Sequence, residues 1–420
     1  MPALLILTAA GFVGFAALLP VAPLWAVTGG ANEAGSGLVN GMLMFATILT
    51  QPFVPALLRR FGTGRVLAAG LVLLNGPSLL HLVSSDLQWI LALSALRGIG
   101  FGIITVTGSA TVARLVPPAR HGAAIGAYGV AVAVPQLLLL PIGPWLANTV
   151  GYWLVFAAGT LPVLAVGAAP RLGRVLQAQE HKQGQKQDQK QEQHRTAPAP
   201  AASGQSANPA HLGEKNKEGE PPGQGRFGHL ARALVPPMVI LLGVTLAGGA
   251  LLTFVPQMST APAATVAGLT LLTATAALSR WRLGALADRH GAQAFVWPLI
   301  LFTVAGLVLA AVAVVDPNAT RTVPLLLGMT LVGVAYGGLQ NLTLLLSLSA
   351  VHRDEYDTAS AVWNIGFDSG TGIGSVLVGT IAAGLSFPAA LLAAACASIL
   401  TLPVALLQRR RPVSVRAHSG

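Results

Sequence analysis

The sequence is poor in charge. It carries 25 basic and 14 acidic residues among 420, well below the roughly one-in-four share of charged residues in soluble domains. More than half of the chain, 53%, is apolar. A soluble fold of this length has too little interior to hide that much apolar surface. This argues against a large buried-core enzyme and for a polytopic membrane protein. Cysteine is nearly absent too. The single Cys396 lies inside an apolar run, so no disulfide framework and no CxxC metal site can form, and its expected role is that of a small apolar side chain. The amino terminus lacks a basic n-region and its apolar run continues into a full-length span, so no cleavable signal peptide is expected. Motifs for nucleotide binding, for HExxH metal chemistry and for a nucleophile elbow are missing. No cofactor, no ATP-driven step and no enzyme activity are therefore expected.

What is present is a series of long apolar runs. About 20 mostly apolar residues cross roughly 30 Å of hydrocarbon. Twelve runs qualify, at residues 3–27, 37–58, 65–84, 88–114, 122–147, 150–170, 232–257, 264–283, 293–315, 323–350, 358–384 and 387–407. The fold class expected is an all-α polytopic membrane protein. Residues 171–231 break the pattern. They are rich in Gln, Lys, Ala, Pro and Gly and free of aromatics until Phe227, and read as a disordered cytoplasmic linker that cannot bury enough apolar area to offset its ordering entropy. The expected organisation is an amino-terminal half (1–170), the linker (171–231), a carboxy-terminal half (232–407) and a short cytoplasmic tail (408–420) with the stop Arg409-Arg-Arg411.

Lys and Arg fix the orientation. With the 59–65 turn in the cytoplasm, 23 of the 25 basic residues fall on cytoplasmic segments or helix ends, the exceptions being Arg97 and Arg321. Both termini are then cytoplasmic, and the excess positive charge is explained by topology. Nucleic-acid binding would need a basic face on a folded soluble module, and none is visible. Trp25, Trp89, Trp145 and Trp153 fall at outer ends and Trp281 and Trp297 at inner ends, as interfacial anchors do. Trp363 lies deeper.

The chain repeats itself. The turn Gly284-Ala-Leu-Ala-Asp288-Arg289-His-Gly291 has a weaker copy, Pro55-Ala-Leu-Leu-Arg59-Arg60-Phe-Gly62, so that Gly62 and Gly291 are 229 residues apart. Ala17-Leu-Leu-Pro-Val-Ala-Pro23 pairs with Ala250-Leu-Leu-Thr-Phe-Val-Pro256, and Leu96-Arg97-Gly98-Ile-Gly-Phe101-Gly102 with Leu331-Val332-Gly333-Val-Ala-Tyr336-Gly337. Tyr128 stands opposite Trp363. Concordant offsets at separate places indicate two six-helix pseudo-repeats around a central cavity.

With these residues the chain resembles the major facilitator superfamily of secondary transporters, over essentially its whole length. Gly284 to Gly291 match that family's G-x-x-x-D-R-x-G loop, and Arg97-Gly98-Ile-Gly100 resembles its helix 4 motif of an arginine followed by glycines. Among the branches the chain looks most like bacterial drug and sugar efflux permeases. Two departures stand out. The first-half loop has Pro55 for the glycine and Arg59 for the aspartate, and the antiporter motif of helix 5 is reduced to Val134-Pro135.

The turn has its own physics. Gly284 lets a neighbouring helix approach. Asp288 presents a carboxylate that can meet a helix amino terminus or an arginine in one conformation and release it in another; a static turn is the alternative. Gly284, Asp288, Arg289 and Gly291, with Arg60 and Gly62 in the first copy, are the expected gating loop. Arg59 would repel a helix amino terminus, so the latch is expected to be lopsided. In the bilayer core, two charged residues are expected, Arg97 and Asp368, each roughly 15 Å deep at 1.5 Å per residue. Charge at that depth must face protein or water. Their repeat mates are Val332 and Ala133, so the charge is not a requirement of the fold. Asn364, one turn from Asp368, with Gln340, Asn341 and Gln136, are the remaining candidate cavity residues; each serves equally as interhelical glue or as a ligand contact.

The functional expectation is a secondary active transporter of a small, partly apolar organic molecule, proton-coupled and working by alternating access; that it is an antiporter and exports its substrate is what the resemblance implies. Its partners would be that substrate, protons and the lipid bilayer, with no nucleic acid. It would act as a monomer in the cell membrane, with Asp368 as the coupling carboxylate and Arg97 as its electrostatic regulator. The alternatives are a proton-coupled uptake permease and a non-transporting receptor or scaffold on the same fold.

Overall fold

The structure is a computed structural model and describes residues 2–115, 121–168, 224–352 and 355–409. Among these every regular element is helical. Numbered in chain order, α1 is Pro2–Thr28, α2 Glu33–Phe61, α3 Thr63–Val83, α4 Leu87–Leu115, α5 His121–Thr149 and α6 Tyr152–Gly167. Then follow α7 Gln224–Met258, α8 Pro262–His290, α9 Gln293–Ala313, α10 Thr322–Ser349, α11 Tyr356–Gly384 and α12 Phe387–Gln408. Eleven of these are long and apolar enough to cross a bilayer, and α6 is a shorter apolar helix. This is a multi-pass membrane protein.

The helix limits follow local chemistry. Asn32 caps α2, its side chain accepting from the Gly35 amide at 3.0 Å, and Ser386 caps α12 by accepting from Ala389. These side chains satisfy amides that the first helical turn leaves free. Within α2, Pro52 and Pro55 remove two backbone donors, and residues Gln51–Phe53 tighten into a 3-10 turn. The helix α7 begins at Gln224, inside the segment expected to be linker; the apolar run of α7 carries its helix several residues ahead of the hydrocarbon core. The rest of that segment lies outside the described residues.

The two halves are built alike. In the first, α1 packs on α5, α2 and α3 on α4, and α6 on α1 and α3. In the second, α7 packs on α11, α8 and α9 on α10, and α12 on α7 and α9. Each contact maps onto its mate six helices on. The close approaches repeat too: a Cβ at Gly98 would meet the Leu43 carbonyl and one at Gly102 the Thr47 carbonyl, while at Gly333 and Gly337 it would meet the carbonyls of Leu272 and Ala276. The absent side chains let α2 touch α4, and α8 touch α10, backbone to backbone. Gly62 and Gly291 end their helices at φ 79° and 81°, and their amides donate to Leu58 and Ala287 at 3.0 and 2.9 Å. A side chain would be strained in that conformation.

Contacts between halves follow the same symmetry. The pairs α2–α11 and α5–α8 exchange under a twofold, and α1–α7 maps onto itself. The α2–α11 seam runs along the face remote from the Gly62 and Gly291 turns. There a Cβ at Gly379 would meet the Glu33 carbonyl and one at Gly37 the Ser375 carbonyl. Beside this seam α2 also bonds α7: Ser36 donates to Gln257 at 3.0 Å, and Asn40 to Thr253 at 2.9 Å. Deeper in the membrane the seam reaches Gln51 and Asp368. Beyond it the last turns of α2, Val54–Phe61, pack on α3 and α4 of their own half.

Candidate transport site

Asp368 is buried, 3% exposed, on the face of α11 that meets α2. Gln51, helical at φ −52° and ψ −44° with its amide on the Thr47 carbonyl, donates from Nε2 to Asp368 Oδ2 at 2.6 Å. This bond joins the two halves. The Gln51 Oε1 is enclosed and has no partner among the described residues.

A second buried polar group sits on α8 and α10. Arg280 donates from Nη2 to Gln340 Oε1, and Asn341 donates to the Arg280 carbonyl at 3.0 Å. Arg280 Nε and Gln340 Nε2 are enclosed without partners. Tyr336, one turn before Gln340, lies within electrostatic reach of both Arg280 and Asp368. Its ring leads into an aromatic row, with Tyr336 and Phe367 centroids 6.1 Å apart and Phe367 stacked on Trp363 at 5.7 Å. Trp363 Nε1 donates to Thr343 at 3.1 Å.

Sequence reasoning left Arg280 among the basic residues of helix ends and did not single it out. In the structure α8 continues to His290, and Arg280 turns inward toward α10. One signal was available. Gly284 faces Asn341, whose Nδ2 lies 2.8 Å from a Cβ built there, and Arg280 is one turn earlier on the same face. Gln51 was not singled out, because it is uncharged and its partner lies on another helix of the opposite half.

Arg97 does not stand against Asp368. It is 1% exposed and donates from Nε to the Leu74 carbonyl and from Nη2 to the Gly14 carbonyl, each at 3.2 Å. It knits α4 to α3 and α1 inside the first half. Its reach falls short because the backbone carbonyls of its own half are nearer than α11. Asn364 and Gln136 donate to carbonyls one turn back in their own helices, Ser360 at 2.9 Å and Val132 at 3.3 Å, and do not join the cluster. In the turns, Arg60 and Arg289 are exposed, with Arg60 over the Phe61 ring at 5.3 Å. The side chain of Asp288 lies outside the described residues.

The family model for the Major Facilitator Superfamily matches residues 4–367. The chain belongs to that superfamily. Solved relatives agree in fold. The chain is similar to a bacterial homologue of the human lysosomal transporter Spinster in inward-facing states, unoccupied (TM-score 0.65, 14% identity, covering 97% of this chain and 96% of that one) and occupied (TM-score 0.67, 13% identity, the same coverage). It is also similar to a variant of the nucleoside transporter NupG, with TM-score 0.63, 13% identity, and coverage of 96% of this chain and 98% of the other. No curated protein sequence matches the chain. As a superfamily member the protein is a secondary transporter of a small molecule rather than an enzyme.

Proposed function

We propose that the protein is a proton-coupled exporter of a small, partly apolar organic molecule, working by alternating access as a monomer in the cell membrane with both termini cytoplasmic. The observation that carries this reading is the Gln51–Asp368 bond, in which a titratable carboxyl deep in the membrane is held by the opposite half. Gaining or losing a proton at Asp368 changes the strength of a bond between the moving parts. The seam closed on the face remote from the Arg-bearing turns, together with the likeness to inward-facing relatives, supports an inward-facing state. The Gly284–Gly291 turn acts as the gating loop, residues 171–231 as a tether, and residues 408–420 as a cytoplasmic tail.

The test is transport by Asp368→Asn, which keeps shape and hydrogen bonding but cannot titrate. It should lose net transport against a gradient while keeping substrate exchange. Normal uphill transport with the parent's pH dependence overturns the assignment. Direction is read by compound accumulation in a deletion strain: higher internal levels mean export, and lower levels mean uptake.

A further inference from the structure

We infer that Arg280, Gln340 and Tyr336 form a subsite for the carboxylate of an amphipathic organic acid, whose apolar body lies along Phe367 and Trp363. The inference rests on the transport reading and names the cargo class. Its first ground is the kind of atom left over. Gln340 turns Oε1 toward Arg280 to accept its bond, and its Nε2, within reach of the Tyr336 hydroxyl, makes no well-formed hydrogen bond among the described residues. Beside it Arg280 Nε also has no partner. Both are donors, and one belongs to a guanidinium that stays charged. Among the described residues no acidic side chain is bonded to it: Asp368 is bonded to Gln51 instead. An enclosed cation with free donors is satisfied by an anionic oxygen, and a planar carboxylate fits a guanidinium edge and an amide donor together.

The second ground is the company of this group. Gln340 is 3% exposed, so its free amide is not a surface accident, while Arg280 is partly exposed with its Nε covered, so that cargo reaches these donors when the side chains over them part. The row Tyr336, Phe367 and Trp363 supplies an apolar wall from the same place, the usual makeup of a small-molecule site with few polar groups. Arg97, by contrast, is spent on carbonyls of its own half and is not available to cargo. Such a subsite is one-sided: the first-half mates of Tyr336 and Gln340 in the repeat are Phe101 and Thr105, and Thr105 bonds its own helix at 3.1 Å.

Purified full-length protein in detergent is melted with three probes that share a ring and differ in head group: phenylacetate, phenylacetamide and phenethylamine, each up to about 10 mM. Phenylacetate should raise the melting temperature saturably, and the amide and amine should not. Arg280→Gln should abolish that rise, and Asp368→Asn should keep it. Gln340→Glu places an acid beside Arg280 and should raise the basal melting temperature while removing the phenylacetate response, which keeps the test decisive if Arg280→Gln does not fold. Equal shifts from all three probes, no saturable shift from phenylacetate, or a full phenylacetate response in Gln340→Glu overturns the inference. The transport reading stands or falls separately, on uphill transport by Asp368→Asn.

Discussion

Replacing Gln51 by leucine removes the deepest link between the halves and should open the remote face. In this conformation Gln51 donates to Asp368 at 2.6 Å, a bond to a charged acceptor when the carboxyl is ionised. Such bonds contribute about 1.5–3 kcal/mol. A tenfold change in population takes about 1.4 kcal/mol, so Gln51→Leu should raise the population of the state open on the remote face roughly 10- to 100-fold. The readout is alkylation of a cysteine at Val376, which packs on Gly41 within the seam, in a Cys396→Ser background. Where opening is fast relative to alkylation, the rate follows the open population. Acid should do to the parent what the mutation does. A neutral carboxyl accepts a bond about half as strong, so lowering pH through the Asp368 titration should raise the parent's alkylation rate relative to that of Gln51→Leu, a ratio in which the falling thiolate fraction of the probe cysteine cancels. If the alkylation rates of parent and variant agree within twofold and share one pH slope, the bond does not hold the seam and the argument fails.

Other outcomes follow from the packing. Arg97→Leu should lower the melting temperature by the loss of two buried bonds, about 1–3 kcal/mol, and leave the response to phenylacetate unchanged, as differential scanning would read. Gly337→Ala drives a Cβ into the Ala276 backbone, and Gly102→Ala brings one to 2.9 Å from the Thr47 carbonyl. Each should cost about 1–3 kcal/mol, with Gly337 the worse, measured by thermal melting in detergent. Gly62→Ala and Gly291→Ala force a side chain into the same positive-φ conformation and should destabilise by similar amounts, about 1–3 kcal/mol each. A large inequality between these last two would mean that the turns are not equivalent in the backbone.

Much of the architecture was legible because a membrane span is set by length and apolarity, which a sequence displays directly. The repeat was legible for a related reason: glycines such as Gly98 and Gly333 cannot be replaced where two backbones touch, so they mark the same contact in each half. The site was legible only in part. Asp368 stood out by its depth, whereas Arg280 was hidden by position, since a basic residue near an estimated helix end reads as a headgroup contact. Gln51 depended on a partner 317 residues away on α11, which nothing in its own helix announces. The opposite error befell Arg97. Depth marked it, but depth does not reveal that the Leu74 and Gly14 carbonyls take its donors first.

The seam that closes the remote face has an electrical consequence. Along α2 from Ser36 to Gln51, and along α11 from Asp368 to Gly384, Asp368 is the only charged residue. The bonds above it, Ser36 to Gln257 and Asn40 to Thr253, join neutral groups. A membrane potential works on displaced charge at about 2.3 kcal/mol per elementary charge per 100 mV, and parting these neutral pairs displaces none. Opening this face is therefore voltage-silent along the upper seam. Steepness of turnover with potential then originates elsewhere, in the carboxyl of Asp368, the guanidinium of Arg280, the charge of the cargo between them, or Arg97 as it moves with the first half.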